Sequence, residues 1–571
     1  CVKDEGLRST MAIAILLALC ALVLNSVDAA EQYSCPVLPP ASIEPSSPVY
    51  AEKPAVDAAF RFVRGMKAAY DGPMDVVTSP VYDGSTGTRA EIGKLPRMSE
   101  EDALDAVQAA AAAWDRGQGE WPQMGLAARV SAIEAVCAEL RKIREQIINV
   151  LMWEIAKNTG DAAKEFDRTM EFVEAAIKEL KADPTIRQGF GFAEWTAVSG
   201  TSVRVRRGPI GVMLGLAPFN YPLNEMYAML MPALLMGNTV VLKLPAIGGL
   251  VHLLTCDAFA KHLPPGVVNF VSGSGRATMG PIMNSGLVDV LGFIGGSKAA
   301  DALIKAHPSP HRLKVFAQLE GKNIGVVLPD ADLDTAAAQC TVGATSYNGQ
   351  RCTAIKLIMV HDAVADEFVA RLRSRIVGLK VGLPWDKSVD ITPLPELKKP
   401  KLLEELIADA MSKGATLVNA AEGGGSLAGA LMTPALLDHV GPAMRLFHEE
   451  QFGPVVPVAR FSDVAQVVSA VKASWNGQQA AIFTSDAKAA APLVDALSTV
   501  VGRINLNAQC GRSPDVVPFS GRRSSAMGTM SVTEALRAFS IETVVAHPAK
   551  DEVAAKVAAD LSGFSAFLAP L

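Results

Sequence analysis

Histidine is scarce in this sequence: there are eight in 571 residues, and no two stand in HExxH or any comparable ligand spacing. No metal site is expected. The eight cysteines, Cys1, Cys20, Cys35, Cys137, Cys256, Cys340, Cys352 and Cys510, include no CxxC pair and follow no regular spacing. That argues against zinc ligation and against a disulfide framework. Neither sign of charge dominates, since 53 basic and 59 acidic residues leave a net charge of −6. Neither a nucleic-acid partner nor a stable membrane association is therefore expected. Beyond residue 30 no apolar run is long enough for a transmembrane helix. What remains is half hydrophobic and one-fifth charged, the profile of a globular chain with enough length for two or three domains.

The first thirty residues read as a leader. From Met11 the chain runs through an apolar stretch, 12–24, to the small residues Val27, Ala29 and Ala30, which suits a secretory signal. Residues 31–54 are rich in Pro, Ser and Ala and read as a disordered spacer. Together they predict delivery through the endomembrane system, secreted or to a plastid. The alternative is a cytoplasmic protein with a spurious leader.

From about residue 55 the chain looks folded. Residues 100–114, 126–158 and 161–180 have apolar residues at helical spacing. Residues 189–207 read as an extended hairpin. Then short apolar strands alternate with helices: strands at 210–217, 239–243, 267–271 and 288–294, helices at 222–236 and 248–262. Such alternation predicts βαβ units, a parallel sheet and a doubly wound nucleotide-binding domain. A second alternating set, with strands at 324–328, 354–361 and 455–459 and helices at 333–346, 363–379 and 400–413, predicts a second α/β domain. The tail beyond residue 546 reads as a loosely attached helix.

Two local patterns could carry chemistry. Gly273-Ser274-Gly275, with Gly280 following, opens a helix after a strand, but the spacing misses GxGxxG. Its backbone amides could still face a phosphate. Tyr347-Asn348-Gly349-Gln350-Arg351-Cys352-Thr353 presents one thiol on a polar turn. A neighbouring cation such as Arg351 would favour the nucleophilic thiolate.

Three stretches resemble aldehyde dehydrogenase signatures: Pro218-Phe219-Asn220-Tyr221-Pro222, Gly349-Gln350-Arg351-Cys352 and Glu449-Glu450-Gln451-Phe452-Gly453-Pro454-Val455. They stand in the family's order, and the similarity runs from about residue 80 to 546. Residues 505–515 and 518–521 resemble its non-phosphorylating, NADP-dependent glyceraldehyde-3-phosphate dehydrogenases. The resemblance implies an α/β fold with a Rossmann-type cofactor domain (55–188 and 208–317), a catalytic α/β domain (318–503) and a β oligomerisation arm (189–207 and 504–546). A tail, 547–571, follows. A homotetramer or homodimer is implied.

The same resemblance assigns roles. Cys352 attacks the aldehyde carbon and holds the acyl group as a thioester. Asn220 and the Cys352 amide stabilise the oxyanion. Hydrolysis then needs a general base, and here the sequence departs from the family. Where relatives read Glu-Leu-Gly-Gly-Lys, this chain reads Gln318-Leu319-Glu320-Gly321-Lys322. Gln318 takes the usual base position, and Glu320, two residues on, is the favoured replacement. Lys243 resembles the residue at the adenosine ribose, and Ala246 replaces the Glu by which NAD-preferring relatives repel a 2′-phosphate. NADP is therefore the expected cofactor. Gly295, Gly296 and Ser297 would lie by the phosphates, where the glycine pattern above adds Gly275, and Glu450 and Phe452 by the nicotinamide ribose. Arg168, Tyr221, Arg351 and Arg512 match the substrate-phosphate positions, and Arg suits them because its planar fork binds phosphate oxygens in pairs. The expected substrate is thus a phosphorylated aldehyde. The alternatives are another aldehyde or semialdehyde dehydrogenase, possibly transferring the acyl group to coenzyme A, and a dinucleotide-binding protein that turns over poorly.

Overall fold

A computed structural model describes residues 41–57, 59–182 and 193–569. The expected leader, residues 31–40 of the expected spacer and residues 189–192 of the expected arm lie outside them. Residues 41–54, expected to be disordered, are instead structured. β1 (Ser42–Ile43) and β2 (Val56–Asp57) flank the long pair β3 (Met74–Asp83) and β4 (Arg89–Pro96) in a four-stranded sheet of order β1-β3-β4-β2. Pairing such as Ser42↔Tyr82 satisfies backbone groups that a free spacer would leave to water.

Four helices of twelve residues or more follow. α1 (Glu100–Trp114) starts at a capping box: Ser99 accepts from the Asp102 amide, the Asp102 carboxylate accepts from the Ser99 amide, and three acidic residues complement the helix dipole. The predicted helix 126–158 is two, α2 (Leu126–Lys142) and α3 (Arg144–Ile155), separated at Ile143. α4 (Thr159–Ala182) buries one stripe, including Phe166, Phe172 and Val173.

Next β5 (Thr196–Val198) and β6 (Thr201–Pro209) form a hairpin. The first large sheet combines β7 (Val212–Leu216), β8 (Thr239–Lys243), β9 (Val268–Val271), β10 (Val290–Ile294) and β11 (Lys314–Gln318), all parallel. Their connections carry α5 (Asn224–Leu235), α6 (Gly275–Asn284) and α7 (Ser297–Ala306). The spatial order is β9-β8-β7-β10-β11, so the winding reverses between β7 and β10. In such sheets ligands bind beyond the carboxyl ends of the strands at this switch point.

The chain changes sheet between Gln318 and Asn323. A second sheet is built from β12 (Asn323–Val327), β13 (Ile355–His361), β14 (Thr416–Leu417), β15 (Ala435–Asp438), β16 (Val455–Phe461), β17 (Gln479–Phe483) and β18 (Arg503–Leu506), in the order β14-β15-β16-β13-β12-β17-β18. α8 (Leu333–Thr345), α9 (Ala365–Val377) and α10 (Lys399–Ser412) accompany it. β19 (Ala526–Met527) then pairs back onto β11, antiparallel.

The expected arm is narrower than 504–546 at its C-terminal side. Residues 503–506 are an edge strand pairing with Gln479 to Ile482, and residues 526–527 join the first sheet. Only β20 (Ser540–Pro548) lies on the hairpin, along the whole of β6. The tail is attached rather than loose. α11 (Glu552–Leu561) is capped by Asp551, Arg204 donates to Ser562 Oγ, and Leu568 is buried.

Candidate active site

The turn that presents Cys352 is held in a conformation few residues adopt. Tyr347, Asn348 and Gly349 are consecutively left-handed, with φ of 48°, 57° and 69°. Side chains must maintain such a turn against its strain. The Asn348 amide donates to the Thr392 carbonyl and accepts from the Thr392 amide, each at 2.9 Å. Tyr347 donates its hydroxyl to the Ile155 carbonyl. Only glycine fits at 349, where a Cβ would lie 2.6 Å from Ala344 O and 2.7 Å from Gly453 O.

Cys352 emerges half-buried on the wall of a cavity of about 620 Å³ beside the switch point. Asn220 and Glu320 line it, as do Gly295, Gly296, Glu450 and Phe452. So do all four expected phosphate ligands, Arg168, Tyr221, Arg351 and Arg512. Of the other expected residues, Ser297 reaches the cavity through Glu320, whose Oε1 accepts from its amide at 2.8 Å and its hydroxyl at 3.1 Å. Ala246 lies with Gly273 and Ser274 in a separate groove of about 380 Å³. Gly275 is the first residue of α6 and lines neither.

Burial pushes the Cys352 thiol up to about 11; the Glu225 carboxylate adds to this, and the Lys356 ammonium opposes it. Lys356, not Arg351, is thus the cation that favours the thiolate. Arg351 instead donates to the Val342 and Gly343 carbonyls and to Gln509. The sequence signal for Lys356 was its place four residues past Cys352, at the start of β13. Its Nζ donates to the Cys352 carbonyl at 2.9 Å and pairs with Glu450 Oε1 at 2.7 Å. Glu450 also accepts from the Gly321 amide, and Phe219 meets Phe452 edge-on at 5.8 Å.

Asn220 donates one amide hydrogen to the Gln350 carbonyl at 2.8 Å, which pins it against the cysteine turn and leaves a second donor. Gln318 ends β11 in register with Ile294. It is 2 % exposed, lines the cavity, and both its amide atoms are without a hydrogen-bond partner among the described residues. Four carboxylates face the cavity: Glu225, Glu320, Glu396 and Glu450. Three pair with cations, Glu225 with Arg512 at 2.5 Å, Glu396 with Lys399 at 3.3 Å and Glu450 with Lys356. Glu320 alone among them is bound by neutral donors and by no cation, and its Oε2 is buried without a partner among the described residues.

The arginines are not equivalent. Arg168 is held by Asp515 through two bonds, at 2.8 and 2.6 Å. Arg512 leans on Asp515 through Nε, at 3.2 Å, and on Glu225 through Nη1, while its Nη2 is buried without a partner among the described residues. Arg351 pairs with no carboxylate among the described residues. Sequence reasoning did not single out Asp515, although it stands only three residues past Arg512. Tyr221 packs over the buried Lys157 ammonium, which is itself paired with Glu165.

Lys243 at the end of β8 is 8 % exposed, and burial pushes it down to about 8. Its Nζ donates to the Leu244 carbonyl, and no carboxylate pairs with it among the described residues. A buried cation without a counter-ion fits an anionic ligand group. The described residues contain no group of three or more His, Cys, Asp and Glu that could hold a metal, and no helix long and apolar enough to cross a membrane.

The fold and sequence have close parallels. An NADP-dependent glyceraldehyde-3-phosphate dehydrogenase of Streptococcus equinus is 35% identical over 460 residues, 80% of this chain and 93% of that protein. The wheat (Triticum aestivum) enzyme of that name is 33% identical over 456 residues, 79% of this chain and 88% of its own. A crystal structure of the Bacillus halodurans enzyme of that name, complexed with NADP, superposes with a TM-score of 0.77 at 33% identity, covering 86% of this chain and 99% of that one. The sequence pattern of the Aldehyde dehydrogenase family matches residues 77–545. With one cysteine on a strained turn, an amide donor beside it and a two-sheet scaffold around them, this chain belongs to the aldehyde dehydrogenase family.

Proposed function

We propose that the chain oxidises glyceraldehyde 3-phosphate to 3-phosphoglycerate with NADP, through a thioester on Cys352. The observation that carries this reading is the convergence of Arg168, Tyr221, Arg351 and Arg512 on the cavity of Cys352, with Arg512 Nη2 buried and without a partner among the described residues. Buried guanidinium donors without acceptors are costly, and phosphate oxygens would satisfy them. The names and spans of the relatives support the same substrate and cofactor.

In this reading Cys352 Sγ bonds to the aldehyde carbon, and the oxyanion is met by the free amide hydrogen of Asn220. Lys243 would hold the cofactor's 2′-phosphate, Ala246 leaves it unopposed, and Glu450 and Phe452 would fix the nicotinamide ribose. NADP, when bound, supplies the hydride acceptor. Glu320 then takes a proton from water, the water oxygen bonds to the acyl carbon, and the C–S bond breaks to release the acid. Glu320 is chosen because it is the cavity carboxylate that no cation neutralises. Gln318 supports a second reading, in which the acyl group passes to a thiol such as coenzyme A, because an amide at that place cannot accept a proton. In either case assembly occurs as a homodimer or homotetramer through β20 and its hairpin.

Steady-state kinetics on glyceraldehyde 3-phosphate and on unphosphorylated glyceraldehyde, each with NADP and NAD, test the proposal. The phosphorylated substrate with NADP should be far the best. Equal rates on both aldehydes would remove the substrate assignment. A product assay with and without coenzyme A separates hydrolysis from transfer.

A further inference from the structure

The carboxylate of Glu320 sits where a ligand anion belongs. α7 is ten residues long and begins at Ser297, directly after β10, on one side of the switch point. Its first amide has no carbonyl partner within the helix, and such an N-terminus attracts negative charge. Here Glu320 supplies the charge, with Oε1 on the Ser297 amide at 2.8 Å and on its hydroxyl at 3.1 Å. Space is tight as well, because a Cβ built on Gly296 would stand 3.3 Å from the same oxygen. A second observation marks the place as a ligand site. The amide of Gln318, 2 % exposed and unpartnered, lines the same cavity as Gly295 and Gly296.

We infer that Glu320 is an intramolecular occupant of the anion site at the start of α7, and that the pyrophosphate of a bound dinucleotide must displace it. The two anions need the same Ser297 donors, and at this separation they repel each other. Cofactor binding therefore carries the cost of moving Glu320. Once moved, the carboxylate has lost its only hydrogen-bond partners among the described residues and is released into the cavity that Cys352 lines. A base that stays engaged until the cofactor arrives is a gate on hydrolysis. This last consequence rests on the base role proposed above; the competition itself does not.

The test is equilibrium binding by calorimetry, without aldehyde. Glu320→Ala and Glu320→Gln should bind NADP more tightly than the parent, by roughly five- to tenfold for Ala and less for Gln, whose carbonyl can still accept from Ser297. Inorganic pyrophosphate should gain likewise. 2′-AMP, which carries the 2′-phosphate but no pyrophosphate, should bind all three proteins equally. Unchanged or weaker NADP binding by Glu320→Ala, with melting temperature preserved, would overturn the inference. So would equal tightening toward 2′-AMP, which would reveal a diffuse field effect rather than competition. Failure of the base role would show elsewhere, as undiminished turnover in Glu320→Ala.

Discussion

Replacing Arg351 by Met keeps the aliphatic stem and removes a cavity guanidinium that no carboxylate neutralises; Arg503, the other, donates to the Gly511, Arg512 and Ser513 carbonyls. Arg168 is already matched by Asp515, and Arg512 is shared between Asp515 and Glu225, so much of their charge is spent inside the protein. Arg351 gives up only carbonyl and amide contacts at 3.0 to 3.3 Å when it turns to a ligand. A unit charge pair at ~4 Å and an effective dielectric of ~20 is worth ~4 kcal/mol before desolvation. A hydrogen bond to a charged group nets about 1.5–3 kcal/mol. Taking ~2–3 kcal/mol, Arg351→Met should lower kcat/KM for glyceraldehyde 3-phosphate roughly 30- to 150-fold. Arg512→Met should cost less, and Arg168→Met least. The assay is NADPH formation, with unphosphorylated glyceraldehyde as control, whose kcat/KM should change by less than about threefold. If both aldehydes lose rate equally, Arg351 supports the cysteine turn and not a phosphate. If neither does, the phosphate binds elsewhere.

Other outcomes follow from the same geometry. Glu320→Gln should release one equivalent of NADPH per Cys352 in a burst and then turn over ~100-fold more slowly, whereas Gln318→Glu should speed the steady state; rapid-quench kinetics on both would show it. Asn220→Ala should cut kcat by about 10²–10³ while NADP binding holds, and loss confined to KM would exclude an oxyanion role. In the resting protein iodoacetamide labelling of Cys352 should rise about tenfold per pH unit toward pH 11, because the thiol is protonated below that value; Lys356→Met should move the whole profile upward. His252 is fully buried and pushed down to about 3 by desolvation, with neither ring nitrogen hydrogen-bonded. As pH falls below its ordinary value of about 6.5, the unfolded chain takes up this proton first, so stability drops by ~1.4 kcal/mol per unit. His252→Leu should flatten that limb of a Tm-against-pH curve, and an unaltered limb would exonerate this residue.

Much of the framework was legible in the residue order. Thr239–Lys243, a short apolar β-branched run, and Glu100–Trp114, with apolar residues at helical spacing, fall where periodicity placed them, because their signals are local. Asn220, Cys352 and Glu450, which line one cavity, could be singled out because their motifs are contiguous. Pairing between distant segments was not legible. That Arg503–Leu506 joins the second sheet and Ala526–Met527 the first depends on partners chosen across the whole chain. Electrostatic identity was likewise decided in three dimensions. Arg351 adjoins Cys352 in sequence yet donates to the end of α8, while Lys356, on β13, reaches back to the Cys352 carbonyl. Asp515 quiets two arginines, and Glu320 rests on Ser297, because charges buried together must find partners. Sequence thus determined which chemical groups are present; the tertiary structure alone decided which of them are already engaged and which wait for a ligand.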